Sequence, residues 1–127
     1  MNDKNNLIKE KKIVCIIQAR TSSKRLPGKI LMDIKGKTVL QRVIERVKRS
    51  KLISKIWIAT TNDKSDDVIE TYSSSNSINI FRGSMNDVLS RFAEITSIEK
   101  ANIIVRITSD CPLIDPELID EVINKFL

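Results

Sequence analysis

Apolar positions along this chain fall into two alternating rhythms. Ile13-Val14-Cys15-Ile16-Ile17 is a continuous, largely β-branched run, as expected of a strand covered on both faces of a parallel sheet. Three further runs repeat the theme: Ile56-Trp57-Ile58-Ala59, Ile78 to Phe81, and Ile103-Ile104-Val105-Arg106-Ile107. Between them the spacing turns helical. Val39, Leu40, Val43, Ile44 and Val47 form one stripe, and Thr38 with Gln41 three residues on reads as the capping box that starts it. A second helix is predicted from Ser65, with Asp66 and Asp67 in its first turn and Val68, Ile69 and Tyr72 inward. A third spans about 86–98, with Val88, Leu89, Phe92, Ala93 and Ile95 largely inward. The last starts at Asp115 as N-cap and Pro116 as first helical residue, and Leu118, Ile119, Val122, Ile123 and Phe126 make its stripe.

Strands alternating with helices at this spacing predict an α/β fold with a parallel, Rossmann-like sheet and right-handed crossovers. In strand order 3-2-1-4 the first and fourth strands are neighbours, and the loops 18–29 and 108–112 face each other across one crevice. Ligands of such sheets bind outside the carboxyl ends of the strands, where the order reverses.

The loop after the first strand changes character abruptly. Gln18-Ala19-Arg20-Thr21-Ser22-Ser23-Lys24-Arg25-Leu26-Pro27-Gly28-Lys29 carries four cations within ten residues and no acid. Guanidinium and ammonium groups, hydroxyl donors and a glycine that admits close backbone approach suit a polyphosphate. A solvated basic turn is the plain alternative.

Composition narrows the chemistry further. The chain has 127 residues, enough for one domain, with 41% hydrophobic content. Residues 1–11 read as a frayed tail, polar and without a signal-peptide core, and 12–127 as the folded unit. No apolar run approaches the roughly 18 residues of a membrane helix. A cytoplasmic protein with reduced thiols and no membrane partner is therefore expected, and the two cysteines show no metal spacing. Histidine is absent, which removes the commonest general base and the usual triads. The net charge is +6, and twelve Lys or Arg lie between residues 20 and 55 against only Asp33 and Glu45. That asymmetry favours an anionic ligand. Nucleic acid is disfavoured by the 4% aromatic content.

Gly36-Lys37-Thr38 lacks the glycine that a phosphate-binding Walker loop needs five residues earlier, where Leu31 stands, and no Gly-x-Gly-x-x-Gly fingerprint is present. Asp110, in Thr108-Ser109-Asp110-Cys111-Pro112, is placed to hold Mg²⁺ through one carboxylate plus substrate phosphates, or to form an Asx-turn. Asp115 is better read as a cap. Thr60 to Asp63 can read a base or cap the next helix, and capping is preferred. Asp87 and Arg91 are spaced as an i,i+4 pair or as a nucleotide or sugar contact. Arg106 lies within a strand and needs a partner if buried.

Ile17-Gln18-Ala19-Arg20, then Arg25-Leu26-Pro27-Gly28-Lys29, Asp87-Val88-Leu89-x-Arg91, and Val105 through Pro116 together resemble the cytidylyltransferase family. The likeness runs over about 12–127 and is nearest to the spore-coat polysaccharide type. The acylneuraminate and 3-deoxy-manno-octulosonate cytidylyltransferases are more distant. The resemblance implies a nucleotide-sugar transferase fold of GT-A type, and transfer of CMP from CTP to a sugar hydroxyl, often of an acidic sugar, with release of pyrophosphate. By position, Arg20 and Lys29 match the triphosphate-binding, catalytic cations, with Arg25 as helper and Asp110 as the metal-binding aspartate. Ala19, Thr21, Ser22, Gly28, Asp87 and Arg91 complete the expected substrate contacts.

Two departures qualify this likeness. Thr-Ser-Asp replaces the usual Thr-Gly-Asp, and members of the family run to about twice this length. Their later half supplies a second metal carboxylate, much of the acceptor pocket and dimer contacts. The chain is therefore expected to be the nucleotide-binding half, with an uncovered sheet edge favouring a homodimer or completion by another chain. The alternatives are a catalytically incomplete nucleotide-binding module and a glycosyltransferase of the same fold.

Overall fold

The central strand explains the architecture. In the computed structural model, which describes residues 11–22, 28–110 and 112–127, β1 (Ile13–Gln18) keeps Ile13 to Ile17 fully buried. Such burial needs neighbours on both sides. β4 (Lys55–Thr61) and β6 (Ile103–Thr108) supply them, each parallel to β1, and β5 (Asn79–Gly83) extends the sheet beyond β4. The order β5-β4-β1-β6 is the expected 3-2-1-4. Gln18 stands opposite Ala59 on one side and Thr108 on the other, so β1 and β6 end level at the carboxyl edge while β4 runs on to Thr61.

Alternate residues of β1 feed two cores. Ile13, Cys15 and Ile17 pack with Leu40, Val43, Ile44 and Val47 of α1 (Val39–Lys48), Ile69 of α2 (Asp67–Ser75), and Ile119 and Ile123 of α4 (Pro116–Phe126). Val14 and Ile16 pack on the other face with Ala59 and with Ile95 of α3 (Val88–Glu99). Three helices thus cover one face and a single helix the other. Burial in the first core pushes the Cys15 thiol up to about 12, which leaves it inert.

Local signals explain the helix starts. Thr38 accepts the Gln41 amide at 3.1 Å, and Asp115 accepts the Glu117 amide at 2.9 Å with Pro116 behind it. Lys35 and Gly36 both have positive φ, and they turn the small antiparallel hairpin β2 (Asp33–Ile34) and β3 (Lys37–Thr38). The Gly-Lys-Thr triplet is therefore a hairpin turn and a helix cap.

Three helix faces differ from the periodic reading. α2 begins at Asp67, after a 3₁₀ turn at Lys64–Asp66 rather than at Ser65, and Val68 points outward. On α3, Leu89 is 78% exposed and Ala93 is also exposed. On α4, Leu118, Val122 and Phe126 are exposed while Ile119 and Ile123 are buried. α3 and α4 flank β6, the outer strand on that side, so an apolar groove lies along each face of this sheet edge. Among the described residues, no helix is long and apolar enough to cross a membrane.

Candidate functional site

The site is built where β1 and β6 end together. The Ala19 amide continues the ladder by donating to the Ala59 carbonyl at 3.0 Å, and the Ser109 amide donates to the Gln18 carbonyl at 3.2 Å. The two loops therefore leave the sheet side by side. Lys29, after the first loop, and Asp110, after β6, meet with Nζ 4.0 Å from Oδ2, and their side chains are 46% and 51% exposed. An ion pair this open contributes about 0–1 kcal/mol, so exchanging it for a phosphate and a cation costs little. Arg20 is exposed on the same rim.

Other expected contacts fall differently. Ala19 is buried and its N–H is engaged by the Ala59 carbonyl. Within the protein the Thr21 amide donates to Asp66 Oδ1 at 2.7 Å, and its hydroxyl is shared between Asp66 Oδ1 at 2.9 Å and the Ser65 carbonyl at 3.0 Å. Ser22 is exposed at the loop. Gly28 adopts a left-handed φ of 74° and donates its amide to the Thr21 carbonyl at 2.7 Å, closing the neck of the loop. Arg25 lies outside the described residues.

Arg91 is the unusual member. It is 1% exposed, yet Nε and Nη1 have no hydrogen-bond partner among the described residues, and Nη2 reaches only the Met85 carbonyl at 3.5 Å. Burial, and then the Arg20 charge, hold its guanidinium below the usual arginine range, against the opposing pull of Asp66 and Asp87. Asp87 forms no ion pair with it. It caps α3 by accepting the Ser90 amide at 3.0 Å. The Arg91 stem lies across the end of β5, where a Cβ on Gly83 would sit 2.8 Å from Arg91 Cγ. An orphaned cation inside a protein is costly, and an anion entering beside Arg20 would relieve it.

Two residues of this rim, Thr61 and Asp66, take a role beyond the capping and first-turn readings given to them. Asp66 is fully buried and also accepts the Thr61 hydroxyl, and Thr61 is itself buried. The available signal was the adjacency of Thr60-Thr61 at a strand end to Asp66 five residues on, but an acid there also reads as a first-turn residue of α2. The capping preference for Asp63 holds: it accepts the Ser65 amide at 3.0 Å. Arg106 proves exposed; it donates to Gln18 Oε1 at 2.9 Å and lies over the Phe92 ring at 5.5 Å.

For a divalent cation the donor set is small. No cluster of three ligating side chains occurs among the described residues. Asp110 is a half-exposed carboxylate at the rim that carries Arg20 and Lys29. That fits the mode in which Mg²⁺ takes one protein carboxylate and completes its shell with water and phosphate oxygens.

Comparison with known proteins agrees with this geometry. A family model described as cytidylyltransferase matches residues 14–127. The spore coat polysaccharide biosynthesis protein SpsF of Bacillus subtilis is 38% identical over 116 residues, covering 88% of this chain and 48% of that protein. A cytidylyltransferase structure from Leptospira borgpetersenii superposes with a TM-score of 0.86 at 38% identity, over 92% of this chain and 49% of the other. A CMP:2-keto-3-deoxy-manno-octonic acid synthetase solved with CTP gives a TM-score of 0.74 at 28% identity, over 91% and 47%. The chain spans about half the length of the curated relatives it matches.

Proposed function

The chain belongs to the cytidylyltransferase family, and from that premise we propose that it forms the nucleotide-binding half of an enzyme that transfers CMP from CTP to a sugar hydroxyl and releases pyrophosphate. An acidic sugar, as in the related 3-deoxy-manno-octulosonate enzymes, is the acceptor this reading favours. The observation that carries it is the meeting of Lys29 and Asp110 across the ends of β1 and β6, on the rim that also bears Arg20.

The chemistry asks little of a base. The sugar hydroxyl attacks the α-phosphorus in line and loses its proton to solvent, the bond to the bridging oxygen breaks, and charge grows on the departing pyrophosphate. Such a step depends on alignment and charge neutralisation, which suits a chain without histidine. Arg20 and Lys29 neutralise the triphosphate, and Arg91 offers its unpartnered nitrogens to an anion. Asp110, with the phosphate oxygens, would hold a Mg²⁺ whose contribution is further neutralisation of the phosphates.

Titration calorimetry tests this reading directly. CTP with Mg²⁺ should bind in preference to other nucleoside triphosphates and to sugar nucleotides. Arg20→Ala should weaken CTP by on the order of tenfold to a hundredfold, the loss of charge-assisted hydrogen bonds of about 1.5–3 kcal/mol. Unchanged affinity in that variant would remove Arg20 from the site.

A second reading is favoured by the apolar grooves beside β6. On this reading the acceptor side of the site is supplied by protein packed on that edge, in the same or another polypeptide, and the 127 residues alone bind CTP without turnover. Pyrophosphate release from CTP and sugar by this chain alone would exclude it.

A further inference from the structure

Asp66 sits within the fold as a fully buried carboxylate with both oxygens engaged. Oδ2 accepts from the Thr61 hydroxyl, which ties the turn before α2 to the end of β4. Stapling that turn would be a sufficient structural purpose, and Arg82 already serves it. Arg82 donates from Nε to the Thr61 carbonyl at 2.8 Å and from Nη2 to the Asp63 carbonyl at 2.7 Å, and pairs through Nη1 with Asp67 and Glu70. Oδ1 does something the staple does not require. It accepts both the amide and the hydroxyl of Thr21, a residue 45 positions earlier in the chain and on the cationic loop.

From Thr21 the connection continues. The Thr21 carbonyl accepts the Gly28 amide at 2.7 Å. Arg20 immediately precedes Thr21, and Lys29 immediately follows Gly28. One buried anion therefore fixes the neck from which both cationic arms project. An anionic acceptor suits this post, because hydrogen bonds to an ionised oxygen are shorter and roughly twice as strong as neutral ones. Its charge also favours the charged form of the Arg91 guanidinium.

We infer that Asp66 is a positioning residue for nucleotide binding: without touching the ligand, it holds Arg20 and Lys29 at the spacing the triphosphate requires, acting through Thr21 and Gly28. The inference rests on the nucleotide reading given above. It yields one specific expectation. Loss of the anchor should loosen the loop neck and weaken CTP while the sheet beneath stays intact, which is not what a residue serving only the fold would do.

The experiment combines amide hydrogen exchange on the ligand-free chain with a CTP and Mg²⁺ titration at a temperature where every variant is folded. In Asp66→Ala, exchange at Gly28 should accelerate at least about tenfold while the Ala19 amide, which donates to Ala59, stays within about twofold of wild type. CTP affinity should fall roughly tenfold. Thr21→Val removes one arm of the anchor and should show the same two changes at smaller size; it carries the test if Asp66→Ala does not fold. Thr21→Ser keeps both donors and should match wild type in both measurements. Unchanged Gly28 exchange in the anchor variants, or faster exchange with unchanged CTP affinity, would overturn the inference. So would a loss of affinity in Thr61→Val, which spares the loop neck, as large as that in Thr21→Val. Wild-type protein that does not bind CTP would sink the nucleotide reading itself. That result appears before any variant is made, and the ligand-free exchange still reads the anchor separately.

Discussion

At the amino end of the sheet, Glu99 closes α3 with its carboxylate nearly buried and every side filled: the Trp57 indole donates to it at 2.8 Å, Lys12 lies 2.6 Å away and Lys55 3.6 Å away. At the carboxyl end, Arg91 near the start of the same helix is equally buried and has two nitrogens with no partner among the described residues. The helix thus carries one charge that protein groups fully engage and another with two nitrogens unengaged among the described residues. Buried charge is tolerated when it is paired. On the reading proposed above, the Arg91 nitrogens that lack a partner among the described residues are where an outside anion would supply the missing half. The amino end serves the fold, and the carboxyl end is where we propose the ligand binds.

The largest expected break in this contrast is Arg91→Met. CTP affinity should drop tenfold to a hundredfold, the range for hydrogen bonds to a charged group of about 1.5–3 kcal/mol. Thermal unfolding of the ligand-free protein should move upward or stay in place, because the variant removes an unsatisfied buried charge and keeps the stem. A Tm that falls with the affinity would show Arg91 to be structural after all.

Gly83→Ala should come next. The new methyl meets the Arg91 stem at 2.8 Å and Phe81 Cε1 at 3.1 Å, so the guanidinium must shift. Roughly 1–2 kcal/mol of stability should be lost, toward the lower end of overpacking costs. CTP affinity should fall with it, and a denaturant melt beside a CTP titration checks both.

Glu99→Gln should act in the opposite sense. About 1 kcal/mol of stability, near 4 °C in Tm, should be lost, with CTP affinity unchanged. Acid provides the smallest and most specific readout. The hydrogen bond from Lys12 leads the effects that hold the Glu99 carboxyl below its ordinary range. A depressed carboxylate stabilises the fold above its unfolded value of about 4.3, and that contribution is lost as pH falls through the lower folded value. The Tm gap between wild type and Glu99→Gln should therefore be full at neutral pH and close on acidification through that window.

Much of this fold could be read from the chain because several local signals agreed. The continuous apolar run of β1 demanded neighbours on both sides, and the caps at Thr38 and at Asp115-Pro116 each bind the amide the capping rules assign. Periodicity misled on α3 and α4, where Leu89, Leu118, Val122 and Phe126 belong to an apolar stripe but face the open grooves beside β6. A stripe tells which residues want cover, and it does not tell what provides that cover. The site was half legible. Lys29 and Asp110 met because parallel strands in the expected order bring their ends level. Asp66 was not legible, because an acid at a helix start has an adequate local explanation and its real partner is 45 residues away. Arg91 was read from its spacing either as a pair with Asp87 or as a nucleotide or sugar contact, and Asp87 caps the helix instead of forming the pair.

The arrangement at Glu99 has a practical consequence for anyone watching this protein in solution. Trp57 is the sole tryptophan, and its indole is fixed to that carboxylate. Thr61, at the rim, lies four residues further along the same strand, about 13 Å at the usual rise. Emission excited at the indole band should therefore follow unfolding faithfully while remaining almost blind to nucleotide, which separates a damaged scaffold from an empty pocket in a single cuvette.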